Sequence, residues 1–320
     1  MWLMKLSHED IDKCMNHLKK GSKSFYRAAR LLPERLRPPT AAVYAFCRAT
    51  DDMVDNPPDR EEAAAAPQHE TVLQTLRDRL DSVYLGDNLN DFVDRAFSWV
   101  VKEYSIPRSL PEALLEGYGW DLEKREYHTI SDVRAYSARV AAAVGLMMTV
   151  LMERREKNTL ARACDLGVAM QLTNIARDVG EDAHCDRLYL PREWMIEEGI
   201  DPDEWMKQPE FNSGIGKVTE RLLEEADRLY QQAEAGIAEL PEDGRTAIWA
   251  ARLIYADIGR VIRKNKNDSV TRRAYTTGPR KARLLVRAVL KARSKKNNVG
   301  VCLNLPPLEE TRHLVESVLQ

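Results

Sequence analysis

Along most of the chain, apolar and polar residues follow one another as they do in amphipathic helices. The segments between glycine and proline breakers lack the strict alternation of β-branched residues that marks a half-buried strand. Breakers recur at short intervals, as at Pro38-Pro39 and Gly278-Pro279, but no linker-like stretch divides the chain. The pattern therefore predicts an all-α protein with a single domain over residues 1–320, a core over about 15–295 and a C-terminal tail over 296–320.

Two of the predicted helices carry unusual rows of acidic side chains. The first begins after Pro38-Pro39 and is stopped by Asn56-Pro57, because a residue before proline is pushed out of the α region. Asp51 and Asp55 lie four residues apart, on one face at the end of this helix, and Arg48 precedes Asp51 by one turn. The helix dipole disfavours acids at this end, so a chance surface placement is a poor explanation.

The second acidic helix contains a continuous polar stripe. Gln171, Asn174, Asp178 and Asp182 follow the spacing i, i+3, i+7, i+11, whereas the residues around them are mostly apolar. Like charges one turn apart destabilise a helix, and burial of carboxylates costs far more unless they are paired or bind a metal.

Oxygen ligands of this kind suit Mg²⁺ or Mn²⁺ better than zinc. Either acidic pair alone is weak evidence, since acids abound on exposed helix faces. Two pairs, each closing an apolar helix with an arginine nearby, together indicate a metal cluster that binds a diphosphate.

Other enzyme classes fit the sequence poorly. No P-loop or dinucleotide-binding fingerprint is present, and the histidines and cysteines show no zinc-site spacing. The 5 cysteines are scattered without a CxxC pair, which favours a reducing compartment. The longest stretch without a charged residue, 140–152, is too short to span a bilayer. Charged residues near the N-terminus argue against a secretory signal, so a cytoplasmic location is expected.

The acidic motifs resemble the signatures of a known family. The segment 22–25 followed by 44–55, and the segment 171–182 followed by 187–191, are similar to the two signatures of the phytoene synthase and squalene synthase family. Weaker similarity covers Gly119 to Gly145 and residues 250–255, so that the matches run in order from about 21 to 290. Within the family the chain resembles the bacterial phytoene synthases most. Ser137 and the segment 184–186 depart from the family's pattern without touching the acids.

The resemblance implies an isoprenoid synthase fold with a central cavity between the two aspartate-bearing helices. It implies Mg²⁺-dependent, head-to-head condensation of two geranylgeranyl diphosphates to phytoene through a cyclopropyl diphosphate, in carotenoid biosynthesis. ATP and NADPH are not implied. Two alternatives remain: a presqualene or squalene-type synthase of the hopanoid pathway that uses farnesyl diphosphate, and a non-catalytic assembly factor of the same superfamily.

The resemblance also assigns roles to individual residues. Five would bear the metals: Asp51, Asp55, Asn174, Asp178 and Asp182. Seven would bind the substrate diphosphates: Ser22, Lys23, Ser24, Arg48, Gln171, Arg177 and Arg273. The catalytic set comprises the four aspartates with the cavity tyrosines Tyr136 and Tyr255. Seven residues are candidates for lining the tunnel, although each would serve equally well as a core residue: Phe25, Val140, Val144, Gly145, Leu146, Met147 and Leu172.

The basic end of the chain is the remaining feature. Between residues 260 and 296 there are 14 lysines and arginines but only one acid, Asp268, in a chain of net charge −2. The segment 280–293 predicts a helix with a basic side, and with an apolar face formed by Leu285, Ala288, Val289 and Ala292. Two interpretations are open. The helix is a core helix with a solvated basic side, or it attaches the protein to the anionic inner face of the bacterial cytoplasmic membrane. A nucleic-acid partner is not expected, and association with other enzymes of the pathway stays open.

Overall fold

The computed structural model describes residues 7–21, 26, 28–55, 65–294 and 302–320, with only the backbone of 65–68. These residues are mostly helical, and no strand occurs among them, which confirms the predicted all-α class. No helix in the described ranges is both long enough and apolar enough to cross a membrane.

The helices follow one another with short connections. In chain order they are α1 (His8–Gly21), α2 (Arg37–Asp55), α3 (Ala65–Leu85), α4 (Phe92–Glu103), α5 (Ser109–Leu122), α6 (Ile130–Ser137), a π-helical stretch (Ala138–Ala142), α7 (Ala143–Leu151), α8 (Lys157–His184), α9 (Arg192–Glu197), α10 (Pro202–Lys207), α11 (Ser213–Glu239), α12 (Glu242–Lys264), α13 (Gly278–Arg293), a 3₁₀ turn (Glu309–Thr311) and α14 (Arg312–Leu319).

Several helices begin where a side chain satisfies the free amide groups of the first turn. Asp91 accepts a hydrogen bond from the Val93 amide at the start of α4. Thr129 and Asp132 form a reciprocal capping box at the start of α6. Asn212 accepts a hydrogen bond from the Ile215 amide at the start of α11. These local signals are readable from the sequence, since short polar side chains are the preferred helix caps.

Helix α8 is the centre of the fold. It packs against α11, α12, α7, α6, α14 and the π-helical stretch, and buries residues on most of its circumference. One continuous hydrophobic core extends from Cys14 on α1 to Val318 on α14. The predicted core ends at about residue 295, but the observed core continues beyond it, because Leu314, Val315 and Val318 are also buried there. The signal that was missed is the apolar face of the eight-residue helix α14.

The basic helix α13 is also oriented differently from the prediction. Ala288 is buried as expected, but its buried companion is Leu284, and Leu285 and Val289 are only partly buried. The helix leaves Val286 and Leu290 63% and 64% exposed. The pattern alone could not locate the buried face, because apolar residues occur on more than one side of this helix.

Gly167 allows α8 to approach the π-helical stretch closely. A Cβ atom at this position would lie 2.7 Å from the Ala142 Cα and 2.9 Å from the Ala141 carbonyl oxygen. Backbone atoms cannot yield as a side chain can, so only glycine permits this contact.

Gly167→Ala should therefore destabilise the protein by about 1–3 kcal/mol, the usual cost of overpacking. Gly119→Ala on α5 is the matched control, since its Cβ would meet nothing closer than 3.5 Å and helix propensity favours alanine. The measurement is urea unfolding of both variants. Equal stability of the two would contradict the close-approach argument.

Candidate active site

The structure brings the two acidic motifs together through an arginine. Asp51 and Asp55 end α2, and Asp178 and Asp182 lie near the end of α8. Arg187 follows α8, and its Nη2 donates a hydrogen bond to the Asp55 Oδ1 at 2.9 Å. The two motifs, 127 residues apart between Asp51 and Asp178 in the sequence, thus meet at one site.

The first motif holds its carboxylates in a partly buried, negatively charged setting. Burial, followed by the charge of Asp55, raises the pKa of Asp51 to about 6. Arg48 offsets part of this charge, with its Nη1 3.1 Å from the Asp51 Oδ2 and its Nη2 2.5 Å from the Asp52 Oδ1. The predicted stripe of Arg48 and Asp51 is therefore an ion pair in the structure.

In the second motif, Asp178 is held by two arginines. The Nε atoms of Arg177 and Arg273 lie 2.8 Å and 3.0 Å from the Asp178 Oδ1. Arg273 also contacts Glu181, with 2.9 Å between Nη1 and Oε2. The structure thus places two of the three predicted diphosphate-binding arginines, Arg177 and Arg273, on one predicted metal ligand.

Arg273 reaches Asp178 because its loop approaches α8 at a glycine. The Gly180 amide donates a hydrogen bond to the Ser269 carbonyl oxygen at 3.0 Å. A Cβ atom on Gly180 would lie 2.2 Å from the Val270 carbonyl oxygen. The absence of a side chain on Gly180 therefore permits the close approach of the loop that carries Arg273.

Asp182 and Asn174 provide oxygen atoms without a hydrogen-bond partner among the described residues. Within the described ranges, the Asp182 carboxylate accepts no hydrogen bond, and burial followed by the charge of Asp178 raises its pKa to about 8. The Asn174 Oδ1 is buried and has no partner among the same residues, while its Nδ2 donates to the Gln171 Oε1 at 3.3 Å.

These observations fit a divalent cation bound through oxygen atoms. A buried orphan oxygen and carboxyl groups that burial drives toward the neutral form are both relieved by a bound Mg²⁺. In the described parts of the chain, no three acidic, histidine or cysteine side chains are gathered closely enough to hold a metal as they stand. Instead, Asp51, Asp55 and Asp178 each pair with an arginine, namely Arg48, Arg187 and Arg177.

An apolar cavity of about 340 Å³ begins beside the acids. Cys47 and Asn174 line it, and each lies one helical turn before an acid, Asp51 and Asp178 respectively. On α8 the lining residues continue back to Thr159, about 22 Å from Asn174 at the rise of an α-helix. The site therefore has a charged mouth and a long apolar interior.

The predicted lining residues divide by helix face. Val140, Val144 and Gly145 line the cavity, as do Gln171 and Tyr255. Leu146, Met147 and Leu172 do not; they are fully buried in the core instead. The cavity-facing side of α7 carries Val144, Gly145, Met148 and Thr149, and the two residues between them point away. Ser22, Lys23, Ser24 and Phe25 lie outside the described residues.

Tyr136 does not line the cavity, unlike Tyr255. Its hydroxyl donates a hydrogen bond to the Asp121 Oδ2 at 2.8 Å, and the Tyr189 hydroxyl donates to the Asp121 Oδ1 at 2.7 Å. The two rings stack with centroids 4.9 Å apart. Burial raises the pKa of Asp121 against the effect of these hydrogen bonds.

Asp121, Arg187 and Tyr189 were not among the predicted site residues. All three stand inside segments that resemble the family, and this was the available signal. Their grouping depends on the approach of α5 to the turn after α8, which helical periodicity does not reveal.

A charged mouth above an apolar cavity suits a substrate with an anionic head and an apolar tail. The chain matches the Squalene/phytoene synthase family over residues 18–280. It is 50% identical over 313 residues to the phytoene synthase of Rhodobacter capsulatus, which covers 98% of this chain and 91% of that protein. It is 55% identical over 275 residues to the phytoene synthase of Cereibacter sphaeroides, covering 85% of this chain and 77% of that protein.

A solved structure of a dehydrosqualene synthase in complex with ligand is similar to this fold. The TM-score is 0.76 at 32% identity, and the match covers 88% of this chain and 95% of that one. The chain belongs to the squalene/phytoene synthase family, as the sequence motifs indicated.

The buried Asp182 generates a prediction about pH and stability. A carboxyl whose pKa is higher in the folded than in the unfolded chain takes up a proton on folding, so stability falls as the pH rises between the two values. For Asp182 these values are about 4 unfolded and about 8 folded.

Without divalent cations, Asp182→Asn should lose this slope and gain on the order of 1 kcal/mol of stability over wild type near pH 8. Thermal unfolding in a chelating buffer from pH 5 to 8 measures the effect. Asp186→Asn, which removes a carboxylate that is 70% exposed and does not contribute to this shift, is the control and should keep the wild-type slope. The same pH dependence in all three proteins would sink the prediction.

Proposed function

We propose that the chain is a bacterial phytoene synthase that condenses two geranylgeranyl diphosphates head to head. The observation that carries this proposal is the meeting of both acidic motifs at the mouth of one long apolar cavity, in a chain half identical to a phytoene synthase over nearly its whole length. The reaction belongs to carotenoid biosynthesis.

The acids would hold Mg²⁺ or Mn²⁺. Its ligands would be the five residues named from the sequence: Asp51, Asp55, Asn174, Asp178 and Asp182. When bound, the ion supplies positive charge that stabilises a departing diphosphate.

The arginines at the mouth would assist the first step of the reaction, the loss of diphosphate from one substrate. Arg48, Arg177 and Arg273 already lie at the mouth, each paired with an aspartate. A guanidinium group binds phosphate oxygens as well as carboxylate oxygens. These side chains would therefore stabilise the diphosphate as the first substrate loses it and becomes an allylic cation.

The cavity would protect this cation until the double bond of the second substrate attacks it. Water would otherwise convert the cation to an alcohol, and an apolar wall excludes water. Tyr255 lines the cavity, and burial raises the pKa of its hydroxyl to about 12, so the phenol stays neutral. Its ring face can stabilise passing positive charge.

The alternative of a squalene-type synthase uses the same acids with a shorter substrate, farnesyl diphosphate. Similarity to the solved dehydrosqualene synthase keeps this alternative open at the level of the fold and the mouth. The non-catalytic alternative is disfavoured, because both acidic motifs are complete.

The test is incubation with Mg²⁺ and either diphosphate, followed by chromatography of the products. We expect phytoene from geranylgeranyl diphosphate and slower turnover of farnesyl diphosphate. Asp178→Ala should lower turnover at least about a hundredfold, as loss of a group that stabilises developing charge does. Asp186→Ala, which removes a carboxylate that is 70% exposed, should stay active. A preference for farnesyl diphosphate, or an active Asp178→Ala protein, would refute the proposal.

We further propose that α13 attaches the enzyme to an anionic membrane surface. Val286 and Leu290 protrude one turn apart, and Arg283 and Arg287 are exposed beside them. An apolar ridge flanked by arginines matches the boundary between acyl chains and anionic headgroups.

Co-sedimentation with vesicles tests this attachment. The wild-type protein should co-sediment with anionic vesicles, dissociate from them at raised salt and fail to co-sediment with neutral vesicles. Val286→Ser combined with Leu290→Ser should weaken binding about tenfold or more, because two apolar side chains no longer enter the lipid. Leu85→Ser removes an apolar side chain that is 76% exposed on α3 and should bind like wild type. Equal binding of all three proteins would remove α13 from the contact.

A further inference from the structure

The C-terminal strap, residues 302–320, returns to the centre of the fold. It lies beyond the 18–280 range that matches the family. Its helix α14 packs against α8 and α5 and buries Leu314, Val315 and Val318. Asn158 donates a hydrogen bond to the Asn304 Oδ1 at 2.9 Å, and Ser131 donates one to Glu310 at 2.6 Å.

One buried arginine connects the strap to α8. Arg162 is 1% exposed, and its guanidinium donates to the carbonyl oxygens of Leu305 at 3.0 Å and Pro306 at 3.2 Å, and also to that of Cys302. Its Nε lies 2.7 Å from a carboxylate oxygen of the equally buried Asp165. A buried guanidinium needs hydrogen-bond partners, and the strap carbonyls supply them to Nη1 and Nη2.

The same arginine lines the deep end of the cavity. Arg162 follows Thr159 by one turn on the cavity face of α8, at the end remote from the acids. Its stem is fixed on the other side by α11, since a Cβ atom on Gly236 would lie 2.3 Å from the Arg162 Cβ. The side chain therefore cannot retreat unless the strap lets go of its guanidinium.

We propose that the strap sets the depth of the cavity through Arg162, and thereby the longest isoprenoid tail that the enzyme accepts. The proposal rests on the proposed function. Arg162 is then a specificity-determining residue at the floor of the cavity, and the strap is the part of the chain that holds the floor in place.

The experiment measures how well non-reactive thiolo-diphosphate analogues bind, by titration calorimetry with Mg²⁺. One analogue carries a geranylgeranyl tail, and the other a tail one isoprene unit longer. Wild type should bind the longer analogue at least about tenfold more weakly, because a fixed wall discriminates strongly against added groups.

Two full-length variants release the floor in different ways. Arg162→Lys keeps a charge for Asp165 but cannot hold several carbonyl groups at once. Arg162→Met with Asp165→Leu removes the buried pair together, which avoids an uncompensated charge. In both, the binding ratio of the two analogues should move about tenfold toward equality. Ser131→Ala removes the strap's hydrogen bond at Glu310, whose partner lies on α6 and does not line the cavity, and should keep the wild-type ratio.

The binding ratio separates specificity from general damage, since a merely destabilised protein loses affinity for both analogues alike. A wild-type ratio in folded Arg162 variants, or equal binding of both analogues by wild type, overturns the role of the strap and leaves the proposed function standing. A wild type that binds neither analogue overturns the proposed function, and the strap proposal with it.

Discussion

The site depends on the neutralisation of carboxylates that the fold forces together. Two helices end at the same place with two aspartates each, and burial there raises the pKa of Asp51 and Asp182. Arginines compensate three of the four aspartates: Arg48 lies beside Asp51, Arg187 beside Asp55, and both Arg177 and Arg273 beside Asp178. Because Arg187 and Arg273 come from outside the two acidic helices, the same ion pairs also hold the surrounding loops. The same ion pairs thus neutralise the aspartates and position the loops around the mouth.

Helix α8 shows how one element serves several demands along its length. Its last turns carry the acids, its middle lines the apolar cavity, and near its start Arg162 and Asp165 form a buried pair. A glycine in the middle admits the π-helical stretch, and π-helical turns often mark functional sites. A substrate with a charged head and an apolar tail has no polar group for the far end of the cavity. The polar side chains at that end of α8 must therefore be bound by other parts of the protein. The strap binds Arg162 there.

Periodicity and chemistry in the sequence were enough to predict the all-α class and the two acidic helices. The family resemblance was needed to assign Arg48, Arg177 and Arg273 to the site, and Arg187 was missed. The spacing of Asp51 with Asp55, and of Asn174 with Asp178, determines a shared face without any tertiary information. Which face of α7 meets the cavity is not determined in this way, and so Leu146 and Met147 were misplaced. Tyr136 was misplaced because its partner, Asp121, comes from another helix. The strap was missed although the apolar face of α14 is visible in the sequence. Its contact with Arg162 could not be predicted, because it consists of backbone carbonyl groups, which leave no trace in the sequence.

The arginine–aspartate pairs at the mouth have a thermodynamic consequence. Arg177 pairs with Asp178 and Arg187 pairs with Asp55. On the proposed function, a cation bound to either aspartate would compete with its arginine, and a diphosphate bound to the arginine would compete with the aspartate. Each ligand would therefore remove the competitor of the other. By linkage, the factor by which diphosphate strengthens cation binding equals the factor by which the cation strengthens diphosphate binding. On the proposed function, the mouth would therefore bind the cation or the diphosphate weakly alone and both of them tightly together.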